Sequence, residues 1–296
     1  VRYLALIIGI CGVASASIFA RYGLGAGFPP AALAAWRLVF ASICLIAFQL
    51  GRKSGMKLAK NAIVRSAIAG LFMAVHFATW IASLDYITVA RSTLLVSTSP
   101  LWAGLAGLAI PSLRPKRIFW LGLAVAAIGT YLVTLESGPT HFQKGPPWIG
   151  DLLAVIGAIC IVPYLVLSQQ VQAKAGTMTT ITWIYSAGAA GLVLFLLPQG
   201  RMPLPVNPAV WTSIAGMALF AQLVGHSMLN FCLRHFSAAQ VATASLLEPV
   251  FAAGLAWIVF AERIALVQAI GGVILLTGVG VTLKSEPSEA VMPYAG

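Results

Sequence analysis

The 23-residue stretch AAQVATASLLEPVFAAGLAWIVF, residues 238–260, decides the fold class of this chain. About 20 mainly apolar residues of helix cross a hydrocarbon core of about 30 Å, so the stretch has the length of a membrane span. Glu248 and Pro249 stand at its centre. A carboxylate at that depth persists mainly where it faces protein or a wet cavity. Proline leaves a carbonyl of the preceding turn without its helical donor. The remaining chain is therefore expected to surround this stretch and to supply the cavity.

The composition agrees with a membrane solvent. Of 296 residues, 60% are hydrophobic and 8% charged, against roughly 25% charged in soluble domains. The net charge of +11 sits in short connections between apolar runs, where orientation signals lie, so no nucleic-acid partner is implied. Cys11, Cys44, Cys160 and Cys232 lie inside apolar runs without metal-ligand spacing, and read as reduced thiols packed as small hydrophobes. No metal site and no cofactor is expected.

Ten apolar segments follow one another, near residues 3–22, 30–50, 63–84, 89–110, 118–135, 149–170, 179–198, 209–232, 238–260 and 265–283. In lipid every backbone polar group must be satisfied internally, and runs of this length are not the alternating strands of a barrel. The expected fold class is all-α integral membrane, with ten transmembrane helices. With the amino terminus in the cytoplasm, that face collects twelve Lys and Arg, among them Lys57, Lys60, Arg65, Lys116 and Arg117, and the other face five. This excess places both termini in the cytoplasm.

Sliding the chain on itself by 149 residues aligns its punctuation. Pro100 meets Pro249, Arg114 meets Arg263, and Gly122 and Gly129 meet Gly271 and Gly278. The expected organisation is a first five-helix repeat over 1–135, a Gly- and Pro-rich linker over 136–148, a second repeat over 149–284 and a disordered tail over 285–296. A repeat of five spans re-enters the membrane from the opposite side, which makes the two copies inverted. Secondary transporters with such repeats place their site near the midplane between the halves, and alternate access by rocking one half on the other.

Several polar and aromatic side chains fall at that depth. Arg37 lies deep in the second span, either to receive a substrate carboxylate or to pair with Glu248 or backbone carbonyls. His76 and Trp80 share one helical face with Phe72; the imidazole is either a packing residue or a proton carrier. Gln222, His226 and Asn230 repeat the spacing of four, as pathway lining or as interhelical hydrogen bonders, with Gln222 assigned to lining. Tyr164, Trp183 and Tyr185 add aromatic surface, the last two also fitting an interfacial belt. Pro100, Pro163 and Pro249 are hinge candidates. Glu248 itself has Ser99 as its repeat counterpart, so the acid belongs to one half only. It is assigned to ion coupling or substrate contact, against a protonated side chain held inside the bundle.

The second copy resembles a known signature. Leu246-Leu247-Glu248-Pro249-Val250-Phe251, then Ala261-Glu262-Arg263, then Gly271-Gly272 and Gly278, is similar to the repeat of the drug/metabolite transporter superfamily, in its EamA-type members. Ser97-Thr98-Ser99-Pro100 is similar in the first copy, although Pro111-Ser112-Leu113-Arg114-Pro115 replaces the usual Gly-Glu-Arg-like step. The resemblance implies a ten-helix exporter of small metabolites or amino acids in the bacterial inner membrane, coupled to protons. A passive facilitator or channel is the alternative. An intramembrane enzyme is less favoured, because the chain lacks paired aspartates, a His-Glu-x-x-His pair and a Gly-x-Ser-x-Gly elbow. Nor has it a Gly-rich phosphate loop for ATP.

Overall fold

A computed structural model describes residues 1–52, 57–87, 89–108, 115–135, 145–260 and 264–285. Every regular element among them is helical. The order is α1 (Arg2–Gly25), α2 (Pro30–Gly51), α3 (Lys60–Ser83), α4 (Val89–Val96), α5 (Ser99–Leu108), α6 (Arg117–Thr134), α7 (Pro147–Ala175) and α8 (Thr177–Leu196). Then come α9 (Pro208–Gly216), a π-helical stretch (Met217–His226), α10 (Ser227–Cys232), α11 (Ala238–Ala244), a 3-10 turn (Ser245–Leu247), α12 (Glu248–Phe260) and α13 (Leu266–Lys284). Nine stretches among the described residues are long and apolar enough to cross a membrane. Most of the expected linker (136–144), nearly all of the expected tail (286–296), and the Pro111–Arg114 and Ala261–Arg263 steps of the two copies lie outside the described residues.

The segment expected as an unbroken span over 89–110 is instead two helices of 8 and 10 residues, parted at Ser97 and Thr98. At 1.5 Å per residue each reaches only part-way across the core. The reason is local. Pro100 has no N–H to offer, and it sits second in α5, in the first turn, where that donor is not needed. Thr98 fastens the junction, donating its hydroxyl to the Leu95 carbonyl at 2.7 Å and accepting the Trp102 indole N–H at 3.1 Å. Pro249 takes the same second place in α12, after a 3-10 turn. The two prolines read as mid-span bends thus restart helices at equivalent points. Pro163, by contrast, lies inside a continuous 29-residue α7.

Glycines set the closest approaches. A Cβ on Gly122 would lie 2.9 Å from the Gly278 carbonyl oxygen, and one on Gly129 2.7 Å from that of Gly271. The pairing of rising with falling numbers means that α6 and α13, repeat equivalents, run antiparallel. Small residues at such crossings let backbones meet, where dispersion rather than hydrophobic burial holds helices together in lipid. Gly9 against Leu229 and Gly23 against Ser213 seat α1 antiparallel on the α9–α10 rod. Gly150 against Ile87 and Gly157 against Thr79 seat α7 on α3 in the same sense. One packing arrangement is therefore used twice, with the halves exchanged. Its core runs through Leu38, Met73, Phe77, Tyr164, Ile184 and Tyr185.

Candidate functional site

A cavity of about 80 Å³ opens where the two broken spans face α1, α2, α3, α7 and the π-helical stretch. Arg37, His76, Trp80, Tyr164, His226 and Glu248 all reach its wall. So do Ser97, Ser99 and Ser245, supplied by the two helix breaks. The wall is populated in pairs 149 residues apart: Ala16 with Leu165, Phe77 with His226, Trp80 with Leu229, and Ser99 with Glu248. Phe77 and His226 meet edge to face at 5.2 Å, and Met73 and Gln222, another such pair, also touch. Equivalent residues in mutual contact place the cavity on the axis that exchanges the halves.

Arg37 is the eighth residue of α2 and 1% exposed. Its Nε and one terminal nitrogen donate to the same Gln222 side-chain oxygen, at 2.9 and 2.6 Å. Its guanidinium lies 3.9 Å from the centre of the Phe77 ring. A desolvated contact of that kind is worth about 2 kcal/mol, and a hydrogen bond to a charged group about 1.5–3 kcal/mol. Arg37 thus clamps α2 to the π-helical stretch and to α3. Gln222 itself is fully buried behind the wall, so the residue assigned to lining serves as the acceptor of this clamp.

His76 is fixed by its Nδ1 against the Gly157 carbonyl at 2.8 Å, and its ring stacks on Trp80. The Trp80 indole nitrogen is buried and finds no acceptor among the described residues. His226 is 7% exposed, and its ring nitrogens likewise meet no hydrogen-bonding partner among the described residues.

Glu248 is the eleventh residue of the 22-residue span Ala238–Val259, hence near its midpoint. It is partly exposed, on the cavity side. Among the described residues no hydrogen bond or ion pair reaches its carboxylate. Arg37 lines the same cavity but forms no ion pair with it. The two charges are therefore not a salt bridge.

A polar seam leaves the cavity at Tyr164, whose hydroxyl accepts from the Asn230 amide. The Asn230 oxygen accepts from Ser168, and Gln172 donates to Ser168 at 3.1 Å. Thr177, the first residue of α8, donates to Gln172 at 2.9 Å. The seam runs along α7 from the cavity to its end. Tyr185 is fully buried beside it, with its hydroxyl 3.4 Å from Ser227, a place inconsistent with an interfacial belt. Trp183 is half-buried and stands off the cavity wall.

The sequence pattern missed the π winding of residues 217–226. Gln222, His226 and Asn230, spaced by four, read as one face. They instead address Arg37, the cavity and α7 in turn, because a wider winding rotates each residue less than an α-helix does. The unassigned signal was Ser168 and Gln172, four apart on one face of α7.

Comparison with known proteins agrees with this architecture. A model of the EamA-like transporter family matches residues 2–135 and again 148–284. An uncharacterized transporter of Archaeoglobus fulgidus is 23% identical over 275 residues, covering 92% of this chain and 94% of its own. The transporter YyaM of Bacillus subtilis is 27% identical, covering 88% and 86%, and the pseudopaline exporter CntI of Pseudomonas aeruginosa is 21% identical, covering 78% and 79%. A crystal structure at 18% identity superposes with a TM-score of 0.77 over 95% of this chain and 96% of the other. A repeated family match across nearly the whole of a helical, membrane-spanning chain leads to one assignment: the chain belongs to the EamA-like transporter family and is a multi-pass membrane transporter.

Proposed function

We propose that this transporter exports small metabolites, amino acids among the candidates, from the cytoplasm by alternating access coupled to protons. The observation that carries the reading is Glu248, a carboxylate without an ion-pair partner among the described residues, at mid-span on the wall of a cavity between the halves. Ionisable groups at that depth mark substrate or ion pathways. Glu248 is the residue we assign to coupling, since proton uptake changes its charge where no ion pair holds it. The paired breaks before Pro100 and Pro249 are the bending points about which the two five-span repeats rock, and the Arg37–Gln222 clamp is the contact that reports their closure. Export follows the function named for CntI, and the cytoplasmic termini follow the basic residues. The solutes are small because the cavity is.

Proteoliposomes test the reading. A candidate metabolite is expected to accumulate uphill under an imposed proton gradient, and a protonophore is expected to collapse that accumulation. Glu248→Gln is expected to abolish proton-driven accumulation. Non-saturating, purely downhill flux in the wild type would instead establish a passive pore.

A further inference from the structure

We propose that the cavity recognises its substrate by a cationic amine, taken by the Glu248 carboxylate, and not by a substrate carboxylate taken by Arg37. The inference rests on the reading of this cavity as the substrate site and goes further, to the chemical class of the group that is bound. Among the described residues two charged side chains face the void, and they differ in how they are engaged. Arg37 already gives two donors to Gln222, sits over the Phe77 ring and is 1% exposed. A carboxylate ligand would have to displace a buried bidentate bond to reach it. Glu248 is the reverse case: it is partly exposed to the void and accepts nothing from the described residues. A carboxylate is an acceptor only, with room for several donors, and an ammonium group brings three.

The surroundings suit the same ligand. Trp80 and Tyr164 contribute aromatic surface to the wall, and aromatic faces attract ammonium groups but not carboxylates, whereas the Phe77 face is already taken by Arg37. Ser245 and Ser99, from the two helix breaks, add hydroxyls near the acid. A void of about 80 Å³ accommodates an ammonium group and a few carbons, as it would several waters. Arg37 is accordingly a positioning residue. It fixes the π-helical stretch and thereby the His226 face of the site.

The test uses the purified protein and three four-carbon probes that carry an ammonium group, a carboxylate or both: n-butylamine, butyrate and 2-aminobutyrate, at one pH and matched ionic strength. Binding is read by thermal shift and by titration calorimetry. Butylamine is expected to raise the melting temperature and butyrate to leave it unchanged, with the zwitterion weaker than the amine because its carboxylate finds no free cation. Glu248→Gln is expected to weaken butylamine about tenfold or more, the usual scale for losing a charge-assisted bond. Arg37→Gln is expected to lower the melting temperature of the unliganded protein while keeping the preference for amine over acid. Butyrate binding more tightly than butylamine, no probe binding at all, or full affinity in Glu248→Gln would each overturn the inference. The wild-type comparison stands whether or not a variant folds. Ser97→Trp, which fills the void, separates the two levels. If it abolishes butylamine binding while Glu248→Gln does not, the cavity is the site and the amine assignment alone fails. If it leaves binding intact, the reading of the cavity as the site fails as well.

Discussion

Gly278→Ala and Gly272→Ala place the same methyl group on the same helix, six residues apart, with opposite expected outcomes. At Gly278 the new Cβ would lie 2.3 Å from the Ala126 backbone nitrogen and 2.7 Å from the Gly122 carbonyl oxygen. Opening the first of these to an ordinary contact near 3.4 Å moves α13 from α6 by about 1.1 Å. A gap of that size forfeits up to about half of the dispersion well for every atom pair it separates, and forced overpacking costs about 1–3 kcal/mol. Alanine returns about 1 kcal/mol of helix propensity, leaving a net loss of up to about 2 kcal/mol. At Gly272 the nearest atom is the Val250 side chain at 3.7 Å, so the propensity gain stands without a clash. Thermal unfolding of purified protein, followed by reactivity of the free cysteines, reads the difference. Gly278→Ala is expected to melt several degrees below the wild type, at about 2–4 °C per kcal/mol, and Gly272→Ala at or above it. Gly278→Ala melting as high as Gly272→Ala would refute backbone-to-backbone packing of α6 on α13.

Asn230→Leu removes the acceptor of Ser168 and the donor to Tyr164 in one step. With interhelical polar contacts in membranes worth about 0.6–1.7 kcal/mol each, a loss of about 1–3 kcal/mol is expected in the same melting assay, and an unchanged melting temperature would show that the seam contributes nothing. Arg91 and Asp151 form a bidentate pair at 2.7 and 2.6 Å, joining α4 to α7, with side chains 54% and 27% exposed. A double-mutant cycle with Arg91→Ala and Asp151→Ala is expected to give a coupling of about 0.2–1 kcal/mol that shrinks with added salt; a coupling insensitive to salt would contradict a solvated pair.

Segments and repeat register were legible in the sequence because each is a property of spacing. Hydrophobic length marks a span wherever it occurs, and Gly122, Gly129, Gly271 and Gly278 fall on one register because they are equivalent positions of two helices that cross each other. Six of the nine proposed site residues share the wall of one cavity for a related reason: polar groups in apolar helices face protein or water. Partnership was not legible. Whether Arg37 meets Glu248 or Gln222 depends on a local winding that no periodicity announces, since the spacing of residues 217–226 does not set them apart from an α-helical span. The break at Ser97 and Thr98 is likewise decided by where Pro100 falls within a turn, which hydropathy does not register.

The same register shows how a symmetric scaffold carries one-sided chemistry. The counterparts of Arg37, Glu248, His76 and His226 are Ser186, Ser99, Gly225 and Phe77, so every ionisable group at the cavity belongs to a single copy. The seam follows the rule: Tyr164, Ser168, Gln172 and Asn230 correspond to Ser15, Phe19, Gly23 and Ile81. One route from the cavity is therefore lined by hydrogen-bonding side chains within the second half, and its equivalent in the first half is almost wholly apolar. Packing duties are met by residues that recur in both copies, as the glycine crossings are. Groups that recur in neither are free of that constraint, and their number at one void is hard to reconcile with a purely structural role, because each buried polar group costs stability unless it is satisfied. Ser186 makes the point in reverse: at the place equivalent to Arg37 its hydroxyl is buried without a partner among the described residues, so the second copy keeps the position and has no clamp to fill it.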